Sequence, residues 1–294
     1  MHRGILLLGV DGGGTRCRAR LCRFSGAVLG EGEAGAANMR FGLEEGFAAA
    51  DDAVAQCFAS AGLARKDRGV AACFALAGAS DPATLAALES RRHGFRLAVF
   101  TTDAHAACVG AHRGADGGIV IVGTGSIGEA VVKGRHYRVG GWGFPLSDEG
   151  SGAWLGSELV RCVLWAHDGR IAWTPLLKQV FGEFSSDPHA IVRWMGPAKP
   201  KDFAAFAPFA VAHALTGDPA GRELMRLAAD HIATLAHRLI ALGAPRVALS
   251  GGLAASIEPW LSEETRRLLV PPAADALTGA VDLARAAALS EAAA

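Results

Sequence analysis

The sequence has no excess of either charge, no closely paired cysteines and no long apolar run. Its 294 residues carry 29 Lys and Arg against 29 Asp and Glu, whereas proteins that act on nucleic acid usually carry a clear positive excess. The six cysteines form no C-x-x-C pair, and the ten histidines form no H-x-x-x-H pair. We therefore predict reduced cysteines with packing roles and no nucleic-acid partner.

Membrane signals and several catalytic motifs are also missing. No apolar run approaches the ~18 residues that cross a bilayer, and MHRGILLLGVDGGG at the N-terminus has too short an apolar run for a signal peptide. The chain has no G-x-x-x-x-G-K-[ST] loop, no H-R-D or D-F-G set and no G-x-S-x-G elbow. These absences predict a soluble, cytoplasmic protein without a membrane partner, and they exclude P-loop enzymes, protein kinases and serine hydrolases of the elbow type.

Three short strands joined by glycine turns occur twice, and strands and helices follow each set. Strands are predicted at residues 4–11, 16–24, 25–33, 69–78, 97–103, 117–126, 128–134, 136–141 and 246–252. Helices are predicted at residues 43–61, 82–92, 104–112, 150–167, 174–182, 203–215, 219–242 and 276–292. This repetition predicts two α/β halves that divide near residues 104–116 and face each other across a ligand-binding cleft.

The first glycine turn is DGGGT, residues 11–15. Backbone N–H groups of glycines converge on anions because no Cβ stands in the way. Asp11 would repel a bare phosphate, so we expect a Mg²⁺ ion between them, which one carboxylate and several waters suffice to hold. The alternative is a plain glycine-rich hairpin.

The second turn, GTGSIG at residues 123–128, matches G-x-G-x-x-G after a strand. A dinucleotide fingerprint must open a helix, but the next residues, EAVVKG, are predicted to form a strand. The Rossmann interpretation therefore fails. We predict a second phosphate-binding hairpin, at the same place in the second half as DGGGT in the first.

Further polar residues stand at predicted strand ends and in glycine-rich loops. Asp103 follows a strand, where it could accept a proton from a substrate hydroxyl or serve as a helix N-cap. Asn38 lies in a loop that suits either a sugar hydroxyl or a turn. Asp148 lies in GGWGFPLSDEGSGAW, where a carboxylate could chelate sugar hydroxyls, although Ser147 or Asp148 could instead cap the next helix. SGGLAAS (250–256) could lie under an adenosine or form a strand–helix turn.

Taken in chain order, these segments resemble a known family. They are DGGGTRCRARL, GAANM, ALAGA, TTDA, GTGS, GGWGFPLSDEGSGAW, TGDP and LSGGLA. As an ordered set they resemble the N-acetylglucosamine kinase and bacterial glucosamine kinase family, in the sugar-kinase branch of the actin-like ATPase superfamily. The resemblance implies an α/β fold of two ribonuclease-H-like domains with a duplicated βββαβαβα core around a central cleft. The domains are expected at residues 1–106, joined by helix 276–292, and at residues 107–275 with inserted helices.

The resemblance also implies a role for each matching residue. Asp11 would hold Mg²⁺ through water, and Asp103 would be the catalytic base for the sugar 6-hydroxyl. The sugar pocket would be lined by Asn38, Asp103, Gly141, Trp142 and Asp148. The residues implied in ATP binding are Gly12, Gly13, Gly14, Thr15, Gly123, Thr124, Gly125, Ser126, Gly217, Gly251 and Gly252.

The expected activity is ATP-dependent phosphorylation of the 6-hydroxyl of glucosamine or N-acetylglucosamine, with ATP and Mg²⁺ as cofactors. Vertebrate N-acetylglucosamine kinases have asparagine where this chain has Ile127, whereas the retained Trp142 departs from the glucosamine enzymes, so both sugars stay open. The alternatives are an ATPase activator of a 2-hydroxyacyl-CoA dehydratase and a sugar-sensing regulator without enzymatic activity. The expected partner is the amino sugar, and a homodimer is the assembly considered.

Overall fold

The computed structural model describes residues 4–65 and 69–293. The strands are β1 (Leu6–Gly12), β2 (Cys17–Arg23), β3 (Val28–Ala34), β4 (Val70–Leu76), β5 (Leu97–Thr101), β6 (Gly117–Val122), β7 (Ser126–Val132), β8 (Arg135–Gly140), β9 (Val247–Ser250) and β10 (Leu269–Val270). The helices are α1 (Leu43–Ser60), α2 (Pro82–Glu89), α3 (Asp103–His112), α4 (Gly152–His167), α5 (Pro175–Glu183), α6 (Pro188–Met195), α7 (Pro200–Ala204), α8 (Ala207–Leu215), α9 (Pro219–Ala241), α10 (Ala254–Ile257), α11 (Glu263–Arg267) and α12 (Ala276–Ala293). Short 3₁₀ helices cover Met39–Phe41 and Glu258–Trp260.

The chain divides into two compact units, Met1–Gly117 with Pro271–Ala294, and Gly118–Val270. The predicted boundary between residues 106 and 107 lies inside α3, whereas the structure changes units after Gly117. Each unit holds one five-stranded sheet, and three consecutive strands stand side by side in each sheet. The α/β class and the repeated architecture predicted from the strand pattern are confirmed.

In the first unit the strand order is β3-β2-β1-β4-β5. β1, β2 and β3 pair antiparallel, and β1, β4 and β5 run parallel. Successive side chains of a strand point to opposite faces, and β1 is apolar on both of them. Leu8 and Val10 pack in the cluster that includes α1, and Leu7 packs in the cluster that includes α12. The sheet is therefore covered by helices on both faces, as a near-continuous apolar strand predicts.

Glycines allow α12 to pack unusually close to the first sheet and to α3. A Cβ on Gly9 of β1 would lie 2.7 Å from Val281 Cγ2, and one on Gly279 would lie 1.9 Å from the Ala106 carbonyl oxygen. Because real Cβ atoms do not come so near, a side chain at either position would push α12 away. The last helix of the chain is thus an integral layer of the first unit.

In the second unit the strand order is β10-β9-β6-β7-β8, with β9 parallel to both β6 and β10. Its core joins the sheet to a helical layer, through residues such as Val120, Leu159, Met225 and Leu239. β7 and β8 form an antiparallel hairpin. The segment that follows the GTGS turn is therefore a strand, as the sequence predicted.

The helices and one short strand depart from the predictions at several places. The predicted helix 203–215 is broken into α7 and α8, because Pro208 lacks an N–H and its ring disfavours a continuous helix through the residues before it. The predicted helix 150–167 begins at Gly152. The pattern did not predict α6, α11 or the short β10.

Candidate functional site

The predicted site residues of the first unit gather where its parallel strands end. Gly12 closes β1, and its carbonyl oxygen accepts a hydrogen bond from Ala77 N at 2.7 Å, just after β4. Asp103 comes two residues after β5 ends. Because the carboxyl ends of parallel strands share one edge of a sheet, these residues occupy the usual ligand-binding edge of an α/β unit.

The DGGGT turn combines one buried glycine with two residues open to solvent. A Cβ on Gly12 would lie 2.7 Å from Leu76 Cδ2 and 2.9 Å from Ala37 Cβ, so packing alone requires glycine there. Gly14 and Thr15 are exposed. Gly13 closes the hairpin by donating from its N–H to the Arg16 carbonyl at 2.9 Å. The exposed tip is the part of the turn that a ligand can reach.

Asp11 stands beside this turn in an ion-pair chain that the sequence did not predict. Arg18 on the neighbouring strand donates to Asp11 Oδ2 at 2.7 Å and to Asp275 Oδ2 at 3.0 Å. Burial alone would lower the pKa of Arg18, but the two carboxylates raise it above its ordinary value. Among the described residues no cluster of three or more His, Cys, Asp or Glu forms a metal site. Asp11 therefore presents a single, oriented carboxylate.

Asn38 lies next to the glycine turn and also has a local structural role. Its Oδ1 accepts from Arg40 N at 3.0 Å and caps the short helix Met39–Phe41. Its Nδ2 atom would lie 3.8 Å from a Cβ on Gly14, so the amide faces the turn. Asn38 forms an isolated bridge with Ala77. The Oδ1 atom of Asn38 therefore stabilises the turn, and its Nδ2 atom is the one that a sugar hydroxyl would contact.

Asp103 is the first residue of α3, and the helix is capped by its neighbour. Thr102 Oγ1 accepts from His105 N at 3.1 Å, whereas Asp103 Oδ1 accepts from Ala104 N at 2.9 Å. The possibility that Asp103 is the N-cap is wrong. A carboxylate in the first turn also profits from the positive end of the helix dipole.

In the second unit, the GTGS turn and the 140–151 loop form one hydrogen-bonded assembly, although about fifteen residues separate them in the chain. Ser126 Oγ donates to Glu149 O of the loop at 2.8 Å, and the first residues of α4, which follows the loop, donate to the turn, from Gly152 N to Gly123 O at 2.8 Å and from Ala153 N to Thr124 O at 3.1 Å. Ser126 is buried, with 4% of its surface exposed, and Thr124 is exposed. The Ser126 hydroxyl thus serves the loop, and Thr124 is the hydroxyl that a ligand can reach.

Asp148 is held against the GTGS turn in a left-handed backbone conformation, with φ of 68°. Its Oδ2 accepts from Phe144 N at 3.2 Å, and a Cβ on Gly125 would lie only 2.7 Å from the same oxygen. The predicted capping role of Ser147 or Asp148 is wrong, because Ser151 caps α4 through Trp154 N at 3.2 Å. Asp148 therefore supports the loop through Phe144 N and does not cap α4.

Trp142 and Leu146 lie on the surface of the 140–151 loop, with 72% and 93% of their area exposed. Arg138 stacks over the Trp142 ring, 4.4 Å from its centroid. Gly141 has φ of 69°, and Ile127 fills the space that a Cβ there would need, at 2.7 Å. The sequence drew attention to Gly141 and Trp142 but not to Arg138.

The remaining predicted ATP-binding glycines separate into two places. Gly251 follows β9, with φ of 98°, and a Cβ there would lie 2.3 Å from Val122 O, at the entrance to the GTGS turn. Gly252 is exposed beside it. Gly217 instead belongs to the helical layer, where its N–H donates to Ala214 O at 3.2 Å. The neighbouring Asp218 ties α5 to α9 by accepting from Leu176, Ala220 and Gly221 N–H groups.

Comparison with known proteins places the chain in a family. The model of the BadF/BadG/BcrA/BcrD ATPase family matches residues 8–284. The chain belongs to the BadF/BadG/BcrA/BcrD ATPase family. It is 40% identical to glucosamine kinase GspK of Vibrio cholerae over 275 residues, which are 93% of this chain and 94% of that protein.

Two solved structures agree with this assignment of the fold. A Chromobacterium violaceum protein that carries the provisional name N-acetylglucosamine kinase is 36% identical, with a TM-score of 0.88 over 95% of this chain and 99% of that one. The (R)-2-hydroxyglutaryl-CoA dehydratase component A of Acidaminococcus fermentans has a TM-score of 0.52 at 14% identity, over 97% and 99% of the two chains, which is a likeness of fold alone. The resemblance inferred from the ordered motifs, and its two actin-like ATPase domains, are confirmed. Among the described residues of this ATPase family member, no helix is both long and apolar enough to cross a membrane.

Proposed function

We propose that this chain is an amino-sugar kinase that transfers the γ-phosphoryl group of ATP to the 6-hydroxyl of glucosamine or N-acetylglucosamine. The observation that carries the proposal is the 40% identity to a glucosamine kinase over nearly the full length of both proteins. The aligned region covers 93% of this chain and 94% of that protein. Membership of an ATPase family supports ATP as the phosphoryl donor.

Asp103 is the residue that we assign as catalytic base. The carboxylate lies at the start of α3, at the carboxyl edge of the first sheet. The neighbouring Thr102, and not Asp103, is the N-cap of the helix. In the proposed reaction O6 of the sugar attacks the γ-phosphorus, the bond to the β–γ bridging oxygen breaks, and Asp103 takes the hydroxyl proton. Positioning and charge stabilisation dominate reactions of this class.

The exposed glycine turns are assigned to the phosphates. In the first unit these residues are Gly12, Gly13, Gly14 and Thr15, of which Gly14 and Thr15 are exposed, and in the second Gly123, Thr124, Gly125 and Ser126, of which Thr124 is exposed. Gly251 and Gly252 border the second turn and suit a flat adenosine, whereas the position of Gly217 in the helical layer gives it weaker support. Asn38, Gly141, Trp142 and Asp148 are assigned to the sugar.

Mg²⁺ fits the single carboxylate at Asp11. The ion prefers oxygen ligands, keeps several waters and commonly uses only one or two protein carboxylates. Arg18 contacts Oδ2 of Asp11 and so orients the group beside the exposed turn. When bound, Mg²⁺ would neutralise charge on the phosphates.

The cysteines favour the kinase over a dehydratase activator. An activator shares an iron–sulfur cluster through cysteine thiolates, but all six cysteines of this chain lie in strands or helices, and five are buried. Burial raises the pKa of the Cys17, Cys57 and Cys73 thiols to about 12. Buried protonated thiols are poor metal ligands.

A coupled assay of ADP release tests the proposal with glucosamine, N-acetylglucosamine, glucose and N-acetylmannosamine. We expect glucosamine or N-acetylglucosamine to give the highest kcat/KM. Phosphorus–carbon coupling in the NMR spectrum of the product then locates the phosphate, which we expect on C6. Equal rates with all four sugars would refute amino-sugar selectivity, and a phosphate on C1 would refute the 6-hydroxyl assignment.

A further inference from the structure

We propose that Arg138 is a positioning residue for the sugar pocket, because it holds Trp142 in the orientation that stacks on a pyranose ring. This inference rests on the proposed function, since Trp142 is assigned there to the sugar. Arg138 itself lies outside the sequence motifs from which that assignment was made. The Arg138 side chain contacts three of the four residues that follow it in the chain.

The first two contacts fix the backbone before Trp142. Arg138 donates from Nε to Gly140 O at 3.1 Å and from Nη2 to Gly141 O. Gly140 and Gly141 both adopt positive φ, 68° and 69°, a conformation that L side chains rarely take. The paired glycines thus turn two successive carbonyls towards one guanidinium, whose planar fork is suited to two acceptors.

The third contact fixes the ring. The Arg138 guanidinium carbon lies 4.4 Å from the Trp142 ring centroid, within the range of a cation–π interaction. The Trp142 backbone is fixed as well, since its N–H donates to Ser147 Oγ at 3.3 Å. With 72% of its area exposed, this tryptophan has little packing of its own to hold it in one rotamer. Arg138 supplies that restraint.

The chemistry around Trp142 points to a polyhydroxylated ring as the ligand. An aromatic face offers a large, rigid contact for the C–H face of a sugar. The carboxylate of Asp148 is on the same loop and accepts from Phe144 N at 3.2 Å. A carboxylate can accept hydrogen bonds from the hydroxyls of a ligand that the ring has stacked. Affinity for the sugar then depends on keeping Trp142 in place, whereas affinity for ATP does not.

Steady-state kinetics of Arg138→Gln, with sugar and ATP varied separately, test the inference. We expect the KM for the sugar to rise about tenfold, while the KM for ATP and kcat change less than about twofold. Arg135→Gln is the matched control, because Arg135 is an exposed arginine on the same strand. We expect it to keep all three constants. Arg138→Lys keeps the charge but not the fork, and we expect an intermediate KM.

A double-mutant cycle separates positioning from a general structural role. If Arg138 acts through Trp142, then Arg138→Gln adds no further rise in the sugar KM when Trp142→Ala is already present. Additive effects, or an unchanged sugar KM in Arg138→Gln with an unchanged melting temperature, would overturn the inference.

A readout without turnover distinguishes this inference from the proposed function. In protein labelled with 5-fluorotryptophan, the Trp142 resonance is identified by its loss in Trp142→Phe. We expect Arg138→Gln to shift that resonance and Arg135→Gln to leave it. A wild-type protein that is inert on every sugar would refute the proposed function, whereas an unshifted Trp142 resonance would refute the restraint by Arg138.

Discussion

Arg18 Nη2 lies 2.7 Å from Oδ2 of Asp11, so the carboxylate assigned to Mg²⁺ is oriented by a guanidinium from the adjacent strand. The same arginine reaches Asp275, whose Oδ1 accepts from Thr278 N at 2.9 Å in the first turn of α12. Burial alone would raise the pKa of Asp275, but the hydrogen bonds from Thr278 and the charge of Arg18 hold it below its ordinary value. Asp11 and Asp275 therefore share one arginine.

This arrangement allows the Mg²⁺ role of Asp11 to be tested against a matched control. Asp11→Asn and Asp275→Asn each remove one ion pair of Arg18, but only Asp11 adjoins the glycine turn. We expect Asp11→Asn to raise the Mg²⁺ concentration for half-maximal rate by about tenfold or more, as loss of an outer-shell ligand does. Asp275→Asn should leave that concentration unchanged. Equal Mg²⁺ curves for the two variants would refute the role of Asp11.

The catalytic role of Asp103 can be separated from helix capping by using its neighbour. We expect Asp103→Asn to lower kcat by on the order of 10²-fold or more with an unchanged melting temperature, because the amide oxygen can still accept from Ala104 N but the amide cannot take a proton. Thr102→Ala removes the cap and should cost about 1 kcal/mol of stability with kcat retained. Wild-type turnover in Asp103→Asn would remove the base from the proposal.

The closeness of Gly125 to Asp148 predicts that a substitution in the GTGS turn, which we assign to ATP, also changes sugar binding. A Cβ on Gly125 would lie 2.7 Å from Asp148 Oδ2, whereas a Cβ on Gly123 meets no atom within 4 Å. We expect Gly125→Ala to displace the carboxylate and raise the sugar KM by about tenfold. Gly123→Ala, in the same turn, should raise the KM for ATP and leave the KM for the sugar unchanged. The ratio of the two KM values in each variant is the measurement, and identical ratios would contradict the prediction.

Asp218 should make stability depend on pH in the acid range. Burial alone would raise the pKa of this carboxyl, but the N–H donors of Leu176, Gly221 and Ala220 outweigh burial and hold the pKa below its ordinary 3.8. Because the pKa of Asp218 is lower in the folded chain, its carboxylate stabilises the fold fully when the pH is above 3.8. This stabilisation is lost as the pH falls through the pKa of the folded chain. We expect Asp218→Asn to lower the free energy of unfolding at pH 7 by about 2 kcal/mol.

Denaturant unfolding of wild type and Asp218→Asn between pH 7 and pH 2.5 measures this dependence. The difference between the two proteins should be constant above about pH 4.5 and shrink below it. Asp187→Asn is the comparison, since Asp187 also caps a helix, by accepting from His189 N at 2.9 Å, but is less buried than Asp218 and has its pKa lowered chiefly by the hydrogen bond from Arg193. A difference that stays constant down to pH 2.5 would show that Asp218 does not act through its charge.

The strands could be predicted because their patterns are local. β1 is apolar from Leu6 to Val10, and polar and apolar residues alternate along β2. The positions of Asp103 and Gly251 at strand ends followed directly from that pattern. The family resemblance followed from the order of the motifs.

Other features could not be predicted because they depend on contacts distant in the sequence or on competition between neighbours. Arg18 reaches Asp275 across the whole length of the chain. Ser147, Asp148 and Ser151 are all good N-cap residues by type, and only the left-handed backbone at Asp148 leaves the cap to Ser151. In the sequence, Arg138 is an ordinary polar residue of a predicted strand. Its hydrogen bonds to the Gly140 and Gly141 carbonyls form only because both glycines adopt positive φ.

The return of the chain at Pro271 to complete the first unit determines the order in which a nascent protein can mature. Everything that Gly118–Val270 needs for its own core is present before α12 has been made. β1, although made before the second unit, keeps the side occupied by Val281 uncovered until α12 has been made. During synthesis, the apolar side of this strand therefore stays exposed while the whole of the second unit is made.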